Sequence, residues 1–457
     1  MPHHAHISGR TTRRVLELLR RYESRNVTFM APDGSWPIVW ECARGLHVWD
    51  AEGRKYLDLT AAFGVAAAGH ANPRVIRAAR QQMARLPHAM GDVHPHARKA
   101  ELARALSRLT FERWTRGTAR ANTPAGRGKI IFCNSGFEAV EAALKTAHLG
   151  TGRRGIVAFE GGYHGLGYGA LNATHRPFFR QPFLSQLGQF GQFVPFPVHA
   201  EEVPAVLAAV EAQLKTGHCG AVLVEPVQAR GGIRVPPPEF LPGLRRLCDA
   251  CGAWLITDEI YTGFGRTGMW FACEHEGVIP DLICLGKALT GGFPLSACVG
   301  RADFMDRAWP PSQGEAIHTS TFLGNPVGCA MALAQIQEIT EKKLVQNSAR
   351  AGARFLDALQ SLGPRCGELE MEARGRGLML GLALRRSGRP AGAEALQVVQ
   401  QLLRKGFLVL PEGEQGEVIS FTPPLIIAET HIRKTMQALR EILAEIGGAP
   451  HPPRLCW

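Results

Sequence analysis

Nothing in these 457 residues approaches the roughly 20 consecutive apolar residues of a membrane-spanning helix. No apolar stretch of the secretory-signal kind stands near the start either, so the expectation is a cytoplasmic protein. A disulfide framework is also missing. The eleven cysteines are odd in number, spread along a chain far longer than a small cysteine-stapled domain. Cys133, Cys284, Cys298 and Cys329 lie inside apolar runs and read as buried free thiols. Cys248-Asp-Ala-Cys251 has no second pair and no neighbouring histidines, so it reads as a helix end and no metal is expected. The net charge of +12 comes mostly from arginines that are scattered, apart from Arg10, Arg13, Arg14, Arg20, Arg21 and Arg25. No basic helix with base-reading spacing accompanies them, which argues against nucleic acid as a partner. Anionic small molecules suit the balance better. Internal repeats are absent.

What is present is a globular composition, 45% hydrophobic and 20% charged, on a chain long enough for about two domains. A basic amphipathic helix over Thr11 to Tyr22 reads as a packed arm. His47 to Gly53 followed by Lys55 to Leu59 reads as a hairpin with a Glu-Gly turn. Helical patterns follow over Pro73 to Leu86 and His96 to Leu109, then a polar loop from Arg116 to Arg127. Alternation then takes over, with strands at Lys129–Cys133, Gly155–Phe159, Gly220–Val224, Ala253–Thr257 and Leu282–Leu285. Strands alternating with helices predict a mainly parallel sheet. A helical pattern from Ala330 to Glu341, a strand over Gly377 to Leu384 and a loose tail from Gly447 complete the chain. The expected division is residues 1–64 (arm and part of a small domain), 65–328 (large domain) and 329–457 (rest of the small domain).

Two of these runs end in charge. Asp258-Glu259 closes Ala253-Trp-Leu-Ile-Thr257, and Lys287 follows Asp281-Leu-Ile-Cys-Leu-Gly286. Open α/β sheets bind ligands at the carboxyl ends of their strands. An amine and a carboxylate presented together there suit pyridoxal phosphate, which needs a Schiff-base lysine and an anion for its pyridinium nitrogen. Asn134-Ser-Gly-Phe-Glu-Ala139 follows a strand and opens a helix, as either a plain N-cap or a cradle of free amides for phosphate. Glu160-Gly-Gly-Tyr-His-Gly165 is either a glycine-rich turn or a platform on which Tyr163 stacks against a flat ring. Glu225 ends another apolar run.

The ordered set resembles the class III (omega) pyridoxal-phosphate-dependent aminotransferases. It comprises Asn134-Ser-Gly-Phe-Glu-Ala, Tyr163-His-Gly, Glu225-Pro-Val-Gln, Asp258-Glu-Ile-Tyr-Thr-Gly-Phe-Gly-Arg-Thr-Gly268, Gly286-Lys-Ala-Leu-Thr-Gly-Gly and Thr321-Phe-Leu-Gly-Asn-Pro326. Each motif is weak alone; six in order, across residues 30 to 445, are specific. The resemblance implies fold type I, the aspartate-aminotransferase fold: a large, mainly parallel seven-stranded sheet domain beside a smaller α+β domain. It implies that Lys287 anchors the cofactor and moves the substrate proton, and that Asp258 pairs with the pyridinium. It further implies that Ser135, Gly136 and Phe137 hold the phosphate, and that Tyr163 and Ile260 cover the two ring faces. His164 and Glu225 belong to the same cofactor set. Thr321 would reach the phosphate of the neighbouring subunit of a homodimer with shared active sites. Arg266 is expected to be structural.

The chain departs from this pattern at three places. Tyr261 stands where the family usually has a glutamine bonding the cofactor's phenolic oxygen. Ala229-Arg230 replaces the usual Gly-Glu, and Ser420 replaces the usual arginine before Pro423-Pro424. The positive charge has moved from one side of an expected glutamate–arginine pair to the other. Either Arg230 receives a substrate carboxylate, with Ser420 giving it room, or Arg230 faces solvent. Phe63 falls at a family position that lines the substrate pocket and suggests an apolar or elongated substrate. The implied activity is transfer of an amino group from an omega-amino acid or other primary amine (4-aminobutyrate-like or ornithine-like) to a keto acid. An aminomutase or racemase of the same family is the alternative.

Overall fold

The computed structural model describes residues 9–448, apart from residues 33 and 35. Seven strands line up as one sheet. In chain order they are β1 (Gly128–Cys133), β2 (Gly155–Phe159), β3 (Gly191–Val194), β4 (Cys219–Val224), β5 (Trp254–Asp258), β6 (Leu282–Leu285) and β7 (Ser296–Arg301). Their order across the sheet is β1-β7-β6-β5-β4-β2-β3. β7 is antiparallel to both neighbours and the remaining pairings are parallel. Six strands therefore deliver their carboxyl ends to one edge, and β7 delivers its first residue, Ser296, to the same edge. The expected mainly parallel seven-stranded sheet is what forms. β3 and β7 fall outside the five runs read from the sequence, because Gly191-Gln and Ser296-Ala break the apolar signature.

Alternation along these strands buries both faces. Ile156, Ala158, Leu223, Trp254 and Ile256 pack with Ala139, Val140 and Ala143 of the helix Gly136–Thr151. Val157, Phe159, Val224 and Leu255 point into the larger core on the other side. Cys133, Cys284, Cys298 and Cys329 are buried and unpaired, as expected. Cys248 and Cys251 lie in the last turn of the helix Phe240–Cys251.

The hairpin at His47–Asp50 and Lys55–Asp58 forms with Gly53 at a φ of +80° in its turn, a conformation that favours glycine. It gains an outer strand, Trp40–Arg44, and a parallel neighbour from far down the chain, Phe407–Leu408. A third sheet joins Arg365–Cys366, Leu369–Arg376, Met379–Arg386, Val418–Phe421 and Leu410–Glu412. The helix expected from Ala330 begins earlier, at Pro326, because Asn325 caps it by accepting the N–H groups of Val327 (2.9 Å) and Gly328 (3.3 Å). Arg266 is buried. Its Nη1 donates to the carbonyls of Leu378 (3.0 Å) and Pro423 (2.5 Å), tying the loop after β5 to the C-terminal segment. Gly447 closes the last helix; the rest of the expected tail, beyond residue 448, lies outside the described residues.

Candidate active site

The carboxyl-end edge of the sheet opens onto a cavity of about 440 Å³, lined by residues from the ends of β1, β2, β4, β5 and β6. Lys287 lies on its wall, with Nζ 4.5 Å from the centroid of the Tyr261 ring. Burial pulls the ammonium below its ordinary pKa, against the opposing pull of Asp258, Glu225 and Glu412. The lysine is therefore easier to deprotonate than a surface lysine. A larger cleft of about 1040 Å³ lies elsewhere, and none of the expected site residues lines it.

Asp258 is the last residue of β5 and is 5% exposed. One of its oxygens accepts the N–H of Ile260 (3.1 Å) and the other lies 2.8 Å from Nδ1 of buried His164. Since a carboxylate only accepts, His164 carries its proton on Nδ1 toward Asp258. His164 is held in turn by Thr174, whose Oγ1 accepts its backbone N–H (2.9 Å). The His164–Asp258 bond crosses 94 residues of chain. Glu225, just past β4, accepts the N–H of Tyr163 (2.9 Å) and of Ala229 (3.1 Å). Burial raises its carboxyl to about 7.

At the end of β1, the backbone N–H of Asn134 donates to Glu138 (2.7 Å), and Ser296 Oγ donates to the Ser135 carbonyl (2.5 Å). Ser135 Oγ is buried and has no hydrogen-bond partner. Glycine at 136 and 286 leaves room for Ile260, since a Cβ at either position would come within 3.2 Å of that side chain. Gly165 has a φ of +108°, and a Cβ there would stand 2.4 Å from that of Phe137. The glycine-rich turn is thus shaped around Phe137.

Other expected residues lie differently. The Tyr261 hydroxyl is engaged with Thr422 Oγ1 at 3.2 Å, so the face of its ring, rather than its tip, meets Lys287. Arg230 lies on the cavity wall, with its guanidinium 5.4 Å from the centre of the Tyr163 ring. Its Nε stands 3.7 Å from a carboxylate that sequence reasoning missed, Glu412. Ser420 is buried and donates to the Leu410 carbonyl (3.0 Å). Phe63 and Thr321 are exposed, and neither lines the cavity within one chain.

Sheet order, a lysine and a carboxylate at adjacent strand ends and a helix N-terminus beside them define a cofactor-dependent transferase of fold type I. The class-III aminotransferase family profile matches residues 29–443, and the chain belongs to that family. It is 37% identical over 412 residues to an acetylornithine aminotransferase of Methanopyrus kandleri, covering 90% of this chain and 96% of that protein. It is 35% identical to a putrescine aminotransferase of Pectobacterium atrosepticum over 90% of this chain and 83% of the relative. Among solved structures, the ornithine aminotransferase of Toxoplasma gondii superposes with a TM-score of 0.81 at 28% identity, covering 95% of this chain and 94% of the other.

Class III aminotransferases depend on pyridoxal 5'-phosphate, and the cavity suits that molecule. The sealed, unpaired Ser135 hydroxyl beside a helix N-terminus suits an anion. Asp258, oriented by His164, suits a protonated ring nitrogen. Among the described residues no helix is long and apolar enough to cross a membrane.

Proposed function

We propose that this chain moves the amino group of a primary amine, often a terminal one, to a keto acid, with Lys287 as the working amine. The observation that carries this reading is the lysine itself, lowered in pKa beside two strand-end carboxylates. When bound, pyridoxal phosphate supplies an aldehyde that condenses with amines and a ring that withdraws electrons. Lys287 would anchor the cofactor and carry the proton to and from the substrate carbon. Asp258, backed by His164, would keep the ring nitrogen protonated. Ser135 Oγ and the backbone at Gly136 and Phe137 would hold the phosphate, with Tyr163 and Ile260 on the two ring faces. Glu225 would order the Tyr163 turn through the N–H it accepts, and the ring of Tyr261 would press the lysine toward the cofactor. Arg230 would receive a substrate carboxylate, with the small Ser420 leaving it space.

The cytoplasmic homodimer follows as part of the same proposal. The segment carrying exposed Met90 and Val93 adjoins the one carrying exposed Ile317 and Phe322, since the Thr319 hydroxyl donates to Asp92 (2.7 Å) and His88 packs on Phe322. Ser320 accepts from Asn134 Nδ2 (3.2 Å), so this apolar patch borders the proposed phosphate end. A second copy covering it would bring Thr321 of the partner subunit to that phosphate and place Phe63 in a shared pocket. The division at residues 64 and 328 into large and small domains belongs to the same reading.

The test is a panel of amines offered to the purified, cofactor-loaded enzyme with a keto acid. Transamination yields a new amino acid from the acceptor and changes the cofactor's absorbance with donor alone; an isomerase consumes no acceptor. Lys287→Ala should abolish turnover, and a Lys287→Ala enzyme that still transaminates would refute the assignment.

A further inference from the structure

Four carboxylates are buried around the cavity and the strand ends, and three of them are well satisfied. Asp258 and Glu225 accept the bonds described above. Glu259 accepts the N–H groups of Ala272 and Cys273, each at 2.8 Å, and the hydroxyl of Thr262. Glu412 differs. Its side chain is 4% exposed, yet its carboxylate accepts no hydrogen bond from the described residues, and its one ion-pair contact is Arg230 Nε at 3.7 Å. That is too long for a hydrogen bond. Arg230 gains as little from it, because its Nε is sealed from water without a partner while the side chain as a whole is 37% exposed. A buried charge without hydrogen bonds is costly to keep.

Arg230 lines the cavity and Glu412 is held beside it. The Gly413 N–H donates to the Arg230 carbonyl (3.2 Å), which fixes the two loops side by side. Glu412 lies close enough to Lys287 for each to shift the other's pKa, and burial raises the Glu412 carboxyl to about 7. The nearby Arg176 has other work, donating to the Glu414 carbonyl (2.8 Å). Arg230, on the same cavity wall as Lys287 and 37% exposed, therefore stands between the cavity and an acceptor with unused lone pairs.

We propose that Glu412 is a specificity residue that receives a second, distal ammonium of the donor, so that the preferred amine is a dibasic one, with Arg230 turning aside as it binds. This rests on the aminotransferase reading and deepens it. The same pair would serve the acceptor in reverse, Arg230 taking the keto acid's carboxylate while Glu412 keeps Arg230 as its neighbour.

The test compares α,ω-diamines with n-alkylamines of matched length, from three to six carbons, as donors to the cofactor-loaded enzyme, reading kcat/KM for the first half-reaction. A charge-assisted pair predicts a wild-type preference for the diamine of roughly tenfold or more at the best length. Glu412→Gln, which keeps the shape and removes the charge, should bring that ratio down to about one, and Arg230→Gln should leave it at wild-type level or raise it. An enzyme that prefers the monoamine at every length overturns the inference even if Glu412→Gln does not fold. So does a diamine preference that survives Glu412→Gln. An enzyme that binds the cofactor yet transfers from no donor refutes the transamination reading itself, and the inference with it.

Discussion

Asp58→Asn tests how the wall behind Tyr261 is held. Ala61, Ala62 and Phe63 have φ values of 47°, 49° and 60°, and Gly64 follows at 81°, so four successive residues are left-handed. For the three with a Cβ this costs roughly 1–2 kcal/mol each, about 3–6 kcal/mol together. Asp58, fully buried, offsets that cost by accepting the Thr60 N–H (2.8 Å), the Thr60 hydroxyl (2.6 Å), the Ala62 N–H (3.1 Å) and His70 Nε2–H (2.7 Å). Asparagine would forfeit about half of these bonds, at about 1.5–3 kcal/mol each, which matches the strain they hold in check. The turn would then relax in a sizeable fraction of molecules. Gly64 abuts the Tyr261 ring, where a Cβ would stand 3.0 Å away, and the Thr60 carbonyl accepts from the Thr422 hydroxyl that meets the Tyr261 phenol. Relaxation should therefore reach the ring beside Lys287. Expected is a fall in kcat/KM of roughly two- to tenfold. Replacing Ala61 and Ala62 by glycine in the same variant should restore it, because glycine bears no left-handed cost. The assay pairs donor kinetics with urea unfolding. Failure of the glycine pair to restore activity, in a variant that remains folded, would refute the reasoning.

Ser135→Ala should leave the cofactor-free protein as stable or up to about 1 kcal/mol more so, since it deletes a sealed, unpaired hydroxyl, while weakening pyridoxal phosphate binding by roughly tenfold; paired melting curves with and without cofactor check both signs. Arg230→Ala should raise KM for carboxylate-bearing substrates far more than for simple amines, and equal effects on both would place Arg230 outside substrate recognition. Glu259 is held by burial at about 7, against 4.5 for the free side chain, so the folded state keeps a proton that the unfolded chain releases. Its contribution to stability is complete below 4.5, declines as pH rises to about 7, and is level above, a change of about 3 kcal/mol. Glu259→Gln should gain on the wild type by that amount between those pH values in urea unfolding, and parallel curves would show that Glu259 ionises as freely in the fold as out of it.

The lysine and the aspartate were legible because each stands at the end of an apolar run, and a parallel sheet gathers such ends at one edge whatever their spacing in sequence. The same logic placed Ser135, Tyr163, His164 and Glu225. It could not supply what joins them sideways. The His164–Asp258 bond depends on β2 and β5 being separated by β4 alone, and strand order is carried by no local pattern. Glu412 was hidden for a related reason. Arg230 was weighed against position 420, because the expected pair sat there, yet Ser420 faces Leu410 across the sheet and the opposing charge stands two residues further along that neighbouring strand. The left-handed turn was invisible for the opposite reason: Ala61-Ala62-Phe63 carries none of the asparagine or glycine that usually announces a positive φ, so its conformation is imposed by Asp58 and His70 from outside the segment. Where a residue's place is set by its own strand, the sequence suffices. Where it is set by a bond to another element, the pairing must be seen, and here those bonds fall on the residues that would choose the substrate.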